Sequence, residues 1–184
     1  MHKVKTLQRI FTLAICILLC FSPIAANAHK ENKLFKAAFI YNFFKFTNWP
    51  SEKWNTPSST IQLCTIGDDE LTHHLKDLNG RNIRSRKLTT VNSTFSNPNN
   101  CHLLYIAQSE KYKYRSILAK TNSQPILTVA NFKGFSKNGG MIELRSDSGQ
   151  TQLIINIHAV RHAELEISSR LLILAKVINQ DKAP

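Results

Sequence analysis

Few residues in this sequence have the types and spacing that enzyme chemistry requires. The chain lacks the glycine-rich phosphate loops, the serine nucleophile elbow and the H-E-x-x-H zinc motif of common enzymes. Asp68 and Asp69 follow an apolar segment, where two carboxylates could bind a cation or act in acid–base catalysis. The alternative is structural, because Asp68 is well placed to cap a following helix. We favour the structural role and predict that the protein is not an enzyme.

The histidines do not make a better site. His73 and His74 are adjacent, so on a helix they point about 100° apart and cannot easily share a metal. His158 and His162 are spaced i, i+4 and could share a metal on a helix, but the sequence offers no third ligand nearby. We therefore predict that the protein binds no metal and no cofactor.

The N-terminal segment has the three parts of a secretory signal peptide. Basic residues precede an apolar run, Ile10–Phe21, and the small-residue sequence A-N-A ends at Ala28. This run is shorter than the roughly 20 residues that a membrane-spanning helix needs, although an uncleaved anchor is the alternative. We predict cleavage after Ala28, with residues 1–28 as the signal peptide and residues 29–184 as a single α/β domain outside the cytoplasm.

The charge of the mature chain narrows the class of partner. Residues 1–28 hold three of the 24 basic and none of the 12 acidic residues, so 21 basic and 12 acidic residues remain, a net charge of +9. The basic residues are scattered, and their densest stretch, residues 81–87, is too short for a nucleic-acid-binding arm. We predict no nucleic-acid binding. A membrane surface and an acidic partner protein stay as alternatives, and we favour an ordinary solvated surface of a periplasmic protein.

Two cysteines remain once the predicted signal peptide is removed. Cys16 and Cys20 lie in its apolar run, whereas Cys64 and Cys101 each lie in a later apolar segment. In an oxidising compartment two such cysteines indicate one disulfide bond, and two buried free thiols are the alternative. Their spacing does not suit a zinc site.

Apolar periodicity predicts alternating strands and helices. A helix over residues 31–47 is stopped by Pro50, and Asp68 and Ser109 are predicted to cap two later helices. Ser168 is predicted to cap a longer last helix with Leu171, Leu172, Leu174, Ala175 and Ile178 on its apolar side. The predicted strands are residues 61–66, 86–91 at an edge, 101–107 and 125–130, followed by an antiparallel hairpin of 141–145 with 152–157 and a short helix at 159–163.

Six segments of the sequence resemble the YfiR family of periplasmic proteins. Two are the most specific: K-A-A-F-I-Y-N-F-F-K-F-T-N-W-P from Lys36, and I-N-I-x-A-V-R-x-A-x-L-x-I-S-S-R-L-L-x-L-A from Ile155. Between them lie L-C-T-I-G-D-D from Leu63, C-H-L-L-Y-I from Cys101, P-I-L-T-V from Pro125 and G-F-x-x-x-G-G-M-I from Gly134.

The resemblance implies a fold and a function. With the element order it predicts a three-layer α/β sandwich: a mixed, mostly parallel sheet flanked by helices, with a C-terminal β-hairpin plus helix. The protein that gives the family its name represses an inner-membrane diguanylate cyclase by binding its periplasmic sensor part, which lowers cyclic di-GMP and biofilm formation. The same role, a periplasmic location and a possible homodimer are expected here. The alternative is a periplasmic small-ligand binding protein feeding a sensor kinase or transporter.

The resemblance also suggests residues for these roles. A disulfide stabilises the family's founding member, and by strand position Cys64 and Cys101 would form it, although this chain lacks a second cysteine pair for redox sensing. Relatives have been proposed to bind small molecules near the C-terminal segment. Aromatic residues near the first helix would suit an interface core, and polar residues of the C-terminal segment would suit a partner or ligand site. The candidates are Phe43, Phe46, Trp49, Arg161, His162, Glu166 and Arg170.

Overall fold

The computed structural model describes residues 25–54, 60–92, 100–147 and 150–181. Contacts between Cα atoms divide the chain into two compact units, Met1–Glu31 and Asn32–Pro184, and the second contains the fold described below. Most of the predicted signal peptide lies outside the described residues, so its cleavage stays a prediction. Within the described part of the chain, no helix combines the length and the apolar character needed to cross a membrane.

Five α-helices occur in the described residues. The first, α1, ends four residues before Pro50, as the sequence predicts, because a proline cannot continue a helix. Single 3₁₀ turns lie at Ser51–Lys53, Gln108–Glu110 and Ser136–Asn138. The α-helices are α1 (Ala25–Phe46), α2 (Glu70–Lys76), α3 (Tyr114–Thr121), α4 (Ile157–His162) and α5 (Ser169–Leu172).

In the described part of the chain, ten strands form one large sheet and one small ribbon. The ribbon pairs β1 (Thr47–Asn48) with β9 (Glu166–Ile167) in antiparallel orientation. The large sheet has the order β10-β8-β7-β6-β5-β2-β4-β3. Its strands are β2 (Ile61–Ile66), β3 (Asn82–Ile83), β4 (Arg86–Asn92), β5 (Leu103–Ile106), β6 (Leu127–Ala130), β7 (Ile142–Asp147), β8 (Gln150–Asn156) and β10 (Lys176–Ile178).

The sheet is parallel in its centre and mixed at its edges, which confirms the predicted sheet type. Strands β4, β2, β5, β6 and β7 all run in one direction. The hairpin of β7 with β8 is antiparallel, as predicted, and β10 then pairs parallel to β8. The strands β5 and β6 are buried along their whole length, because helices cover both faces of a central parallel sheet.

Alternate strand residues feed two apolar cores on opposite faces of the sheet. One core contains Leu63 and Tyr105 with residues of α1, α2, α4 and α5, including Ile40 and Phe43. The other contains the neighbouring strand positions, such as Leu104, with residues of α3 and the turn after β6. This alternation places helices on both faces, so the predicted three-layer α/β sandwich is confirmed.

Several local predictions were wrong. Asp69 rather than Asp68 caps α2, and Ser109 lies within a 3₁₀ turn instead of capping α3. Strand β4 is not the sheet edge, because the short strand β3 pairs beyond it. The predicted long C-terminal helix is one turn, α5, which Ser168 does cap, and the chain then forms the edge strand β10. An apolar run of this length does not distinguish a helix from a strand.

Candidate functional site

The structure brings together the two segments to which the sequence assigned partner binding. The chain leaves α1 and forms β1, which pairs with β9 so that Thr47 lies opposite Ile167 and Asn48 opposite Glu166. The Ser168 amide also donates to the Phe46 carbonyl at 2.8 Å. The end of the first helix and the C-terminal segment, more than a hundred residues apart in sequence, therefore form one continuous surface, which we call the β1–β9 surface.

The seven candidate residues differ in their access to a partner. Phe43 is fully buried and Trp49 is 8% exposed, so both act first as core residues. Phe46 is half-buried against the same core. The four polar candidates, in contrast, are all exposed: Arg161 and His162 at the end of α4, Glu166 on β9 and Arg170 on α5. Nothing in the structure tests whether they bind a partner, and that role stays a prediction.

An arginine outside the candidate set fixes the position of the β1–β9 surface. Arg84, in the turn between β3 and β4, donates to the Lys45 carbonyl at 2.8 Å, at the C-terminal end of α1. Two longer contacts of 3.4 and 3.5 Å join its guanidinium to Asn48 Oδ1. A cation at a helix C-terminus satisfies free carbonyl groups and complements the helix dipole. The dense basic stretch was noticed in the sequence, but this contact could not be inferred from it.

The cysteines form the predicted disulfide. Cys64 on β2 and Cys101 just before β5 are bonded, with their Cα atoms 5.7 Å apart. Both residues are buried in the core on the α3 side of the sheet. The bond thus joins neighbouring central strands inside the protein, and the alternative of two free thiols is excluded in this structure.

Asp69 is a structural carboxylate rather than a free acid–base group. Its Oδ1 accepts from the Thr72 amide and hydroxyl, both at 2.9 Å, and the Thr72 side chain accepts from the Asp69 amide in return, a capping box. Its Oδ2 accepts from the Tyr105 hydroxyl at 2.8 Å and the Gln108 amide at 3.0 Å. Burial alone would raise the pKa of Asp69, but these hydrogen bonds to the charged form lower it below its usual value.

Asp68 has none of these roles. Its side chain is 71% exposed and lies 3.6 Å from the ring of His73, which is also exposed. Tyr105 is the buried partner of Asp69, and burial together with that neighbouring negative charge raises the pKa of its hydroxyl. The two carboxylates therefore do not form a shared cation site. The structural role that the sequence predicted for this pair, capping the following helix, belongs to Asp69.

His102 is a buried histidine whose ring packs against Trp49 and Trp54. His102 Nδ1 accepts from the Gln62 amide at 3.1 Å, which assigns the ring proton of the neutral form to Nε2. No partner for Nε2 occurs among the described residues. Burial, reinforced by the positive charges of Lys53 and Arg86, lowers the pKa of His102 to about 4, so the ring is neutral at physiological pH.

The described residues contain no group of three metal-binding side chains. His158 and His162 lie side by side with ring centroids 6.4 Å apart, and His158 is 3.7 Å from Asp181. The sequence correctly placed these two histidines on one helical face. His162 is exposed and His158 is partly exposed, and since the described residues complete no three-ligand group around them, we favour solvated side chains.

Together, the fold and these contacts define a disulfide-linked α/β domain. The sequence model of the YfiR/HmsC-like family matches residues 33–176, and the chain belongs to this family. This match confirms the resemblance found in the sequence segments. The family is regulatory and non-catalytic. Among curated proteins, none is similar enough in sequence to count as a match.

Proposed function

We propose that this protein is a periplasmic regulator that binds the sensor part of an inner-membrane diguanylate cyclase and holds the enzyme inactive. The observation that carries the proposal is the family match over residues 33–176. The disulfide Cys64–Cys101 supports an oxidising compartment such as the periplasm. Repression would lower cyclic di-GMP and biofilm formation. We include in the proposal the homodimer that the resemblance predicts.

Such a regulator needs no catalytic group. It needs only a higher affinity for the inactive conformation of the sensor than for the active one, because a ligand shifts an equilibrium by its difference in affinity. The β1–β9 surface is our proposed contact site, since strand pairing joins the end of α1 to the C-terminal segment while Glu166 and Arg170 are exposed on it. The net charge of +9 on residues 29–184 would steer the protein toward an acidic sensor domain.

Intracellular cyclic di-GMP, measured in the native host with and without the gene, tests the proposal. We expect deletion to raise cyclic di-GMP and the secreted wild-type chain to restore it. Unchanged cyclic di-GMP in the deletion strain would overturn the cyclase assignment. That result would favour the ligand-binding alternative, in which the protein feeds a sensor kinase or transporter.

A charge reversal tests the contact surface separately. Arg170→Glu replaces an exposed cation on the β1–β9 surface, and we expect it to weaken binding to the sensor domain by about tenfold and to restore repression only partly. Lys137→Glu is the matched control, because Lys137 is equally exposed but lies in the 3₁₀ turn after β6. Equal repression by the two variants would place the contact surface elsewhere.

A further inference from the structure

A cavity of about 330 Å³ lies between the end of α1, the β3–β4 hairpin and the segment that carries Trp54. This volume is at the lower end of the range of roughly 300–1,000 Å³ that is typical of small-molecule sites. Of the seven residues predicted to bind a partner or ligand, Trp49 alone lines it, and no residue of the C-terminal segment does. The cavity is therefore a different site from the one predicted with those seven residues.

The walls of the cavity are aromatic and held in place. Its two tryptophans, Trp49 and Trp54, are the only tryptophans of the chain, and their rings meet edge to face at 6.2 Å. Trp49 stacks on Phe44 at 6.0 Å, and its Nε1 donates to the His102 carbonyl at 3.0 Å. Trp54 stacks on the His102 ring at 4.6 Å. Rigid, preformed aromatic walls suit a flat ring, because little side-chain freedom is lost when it binds.

One wall carries a buried hydroxyl group with no partner. Thr47 lines the cavity and is 0% exposed, and its Oγ1 has no hydrogen-bond partner among the described residues. Leaving a buried polar group unsatisfied is unfavourable, so buried hydroxyls are nearly always paired. Because this oxygen has no accessible surface, a molecule in the cavity would reach it only after the Thr47 side chain shifted, so the hydroxyl is not counted as part of the site.

The rim of the cavity is cationic. Arg84 and Arg86 line it, and no acidic side chain is among the described residues that do. The Arg84 guanidinium is oriented by its bond to the Lys45 carbonyl, and the Arg86 guanidinium lies 4.0 Å from the centre of the Trp54 ring. A guanidinium presents a planar fork of N–H donors that matches a carboxylate with two parallel hydrogen bonds. The rim therefore selects a negative charge next to the aromatic walls.

We propose that this cavity binds a small planar aromatic carboxylate. Its ring would lie against Trp49 and Trp54, and its carboxylate would face Arg84 and Arg86. The proposal goes beyond the regulation of a cyclase, because it needs no partner protein and is tested on the purified chain alone. Its failure would leave the proposed function untouched.

The probe is 2-naphthoate, and 2-naphthamide is its uncharged control of the same shape. Two-dimensional ¹H–¹⁵N NMR is suitable because the chain has two indole N–H groups and both belong to cavity residues. We expect saturable shifts of both indole signals with 2-naphthoate and affinity at least about tenfold weaker for 2-naphthamide. Absence of saturable shifts, or equal affinity for acid and amide, would overturn the proposal.

Two variants locate the charge recognition. Arg86→Gln should weaken 2-naphthoate binding by about tenfold and leave 2-naphthamide binding unchanged. Arg115→Gln, which changes an exposed arginine of α3 outside the cavity, should leave both affinities unchanged. Thermal melts show whether each variant is folded. If Arg86→Gln does not fold, Arg84→Lys is the second variant, because it keeps the positive charge but removes the planar fork of N–H donors. It should weaken the binding of 2-naphthoate and leave the binding of 2-naphthamide unchanged. Full binding by folded Arg84→Lys and folded Arg86→Gln would contradict the proposal.

Discussion

At the scale of single residues, two adjacent aspartates show that residue type alone does not determine the role of a side chain. The sequence favoured Asp68 as the helix cap, yet Asp68 is solvated and Asp69 accepts hydrogen bonds from Thr72, Tyr105 and Gln108. Tyr105 and Gln108 are about forty residues away in sequence. Local pattern could place a helix cap here within one residue, but it could not reveal the long-range partners that make Asp69 structural.

Asp69→Asn should destabilise the protein by about 2–3 kcal/mol, because an amide in that position faces N–H and O–H donors with one acceptor oxygen instead of two. Asp68→Asn, its exposed neighbour, should change stability by less than about 0.5 kcal/mol. Urea unfolding of both variants measures the difference. Equal effects of the two substitutions would contradict the role assigned to Asp69.

The same pair predicts an acid dependence. Because the pKa of Asp69 is lowered in the fold, its contribution to stability is present above its ordinary value of 3.8 and is lost as pH falls through the lower value of the folded state. Wild-type stability should therefore drop faster below about pH 4 than that of Asp69→Asn, and urea unfolding at several pH values measures it.

At the scale of elements, the C-terminal region shows where sequence reasoning fails. Leu171 is buried as expected, but Leu174, which was predicted on the same apolar side, is 66% exposed. The chain instead adds β10 to the edge of the sheet, with Val177 opposite Ile155. Pairing with a distant strand decided between two local structures that the sequence pattern allowed equally.

A single buried side chain holds this edge strand in place. Asn156, at the end of β8, is fully buried, and its Nδ2 donates to the carbonyls of Ser136 and Gln180 at 3.0 and 3.1 Å. Its Oδ1 accepts from the Gln180 amide at 3.2 Å and, at 3.5 Å, from Ala159. One amide therefore ties β8 to the turn after β6, to α4 and to the chain that follows β10.

Asn156→Ala should release the edge strand. The buried Ser136 carbonyl and three partly buried backbone groups would lose their partner, so we expect a loss of about 3 kcal/mol and faster hydrogen exchange in β10 than in β5. The control is Asn138→Ala, which removes a half-buried amide that bonds the Gly134 carbonyl within the same turn. Unchanged exchange in β10 of Asn156→Ala would show that strand pairing alone holds this edge.

At the scale of the whole molecule, the central strand order explains which parts of the fold were predictable. The strands β4-β2-β5-β6-β7 follow the order 2-1-3-4-5 of doubly wound α/β folds. Their alternation with short helices was visible in the sequence, because continuous apolar strands such as β5 are typical of a buried parallel sheet. The short β3 and β1 were missed, since two-residue strands leave no periodicity to detect.

The site was predictable only in part for a related reason. The sequence marked the aromatic and polar segments that meet in the β1–β9 surface, because each is dense in one residue class. The cavity combines Thr47, Trp54 and Arg86 from three separate segments, none of which is distinctive alone. Such a combination can be recognised only in the folded structure, because apolar and charged residues in loops are ordinarily expected at the surface.

The disulfide acts on the whole molecule because it closes a long segment of chain. Cys64 and Cys101 are 37 residues apart, and loop closure of this length restricts the unfolded chain enough to contribute about 3–4 kcal/mol. The bond joins β2 and β5, which are neighbours in the centre of the sheet. Between them the direction in which successive strands are added to the sheet reverses. Its loss is therefore expected to weaken the domain without changing the strand order.

The double substitution Cys64→Ser with Cys101→Ser should lower the melting temperature by roughly 10 °C while the far-ultraviolet circular dichroism of the folded protein is retained. Wild-type protein melted with a reductant is the control, and it should approach the melting temperature of the variant, whereas the variant itself should not respond to the reductant. An unchanged melting temperature in the variant would mean that the bond does not contribute to stability. A reductant effect on the variant would trace the loss to something other than this bond, since residues 29–184 hold no other cysteine.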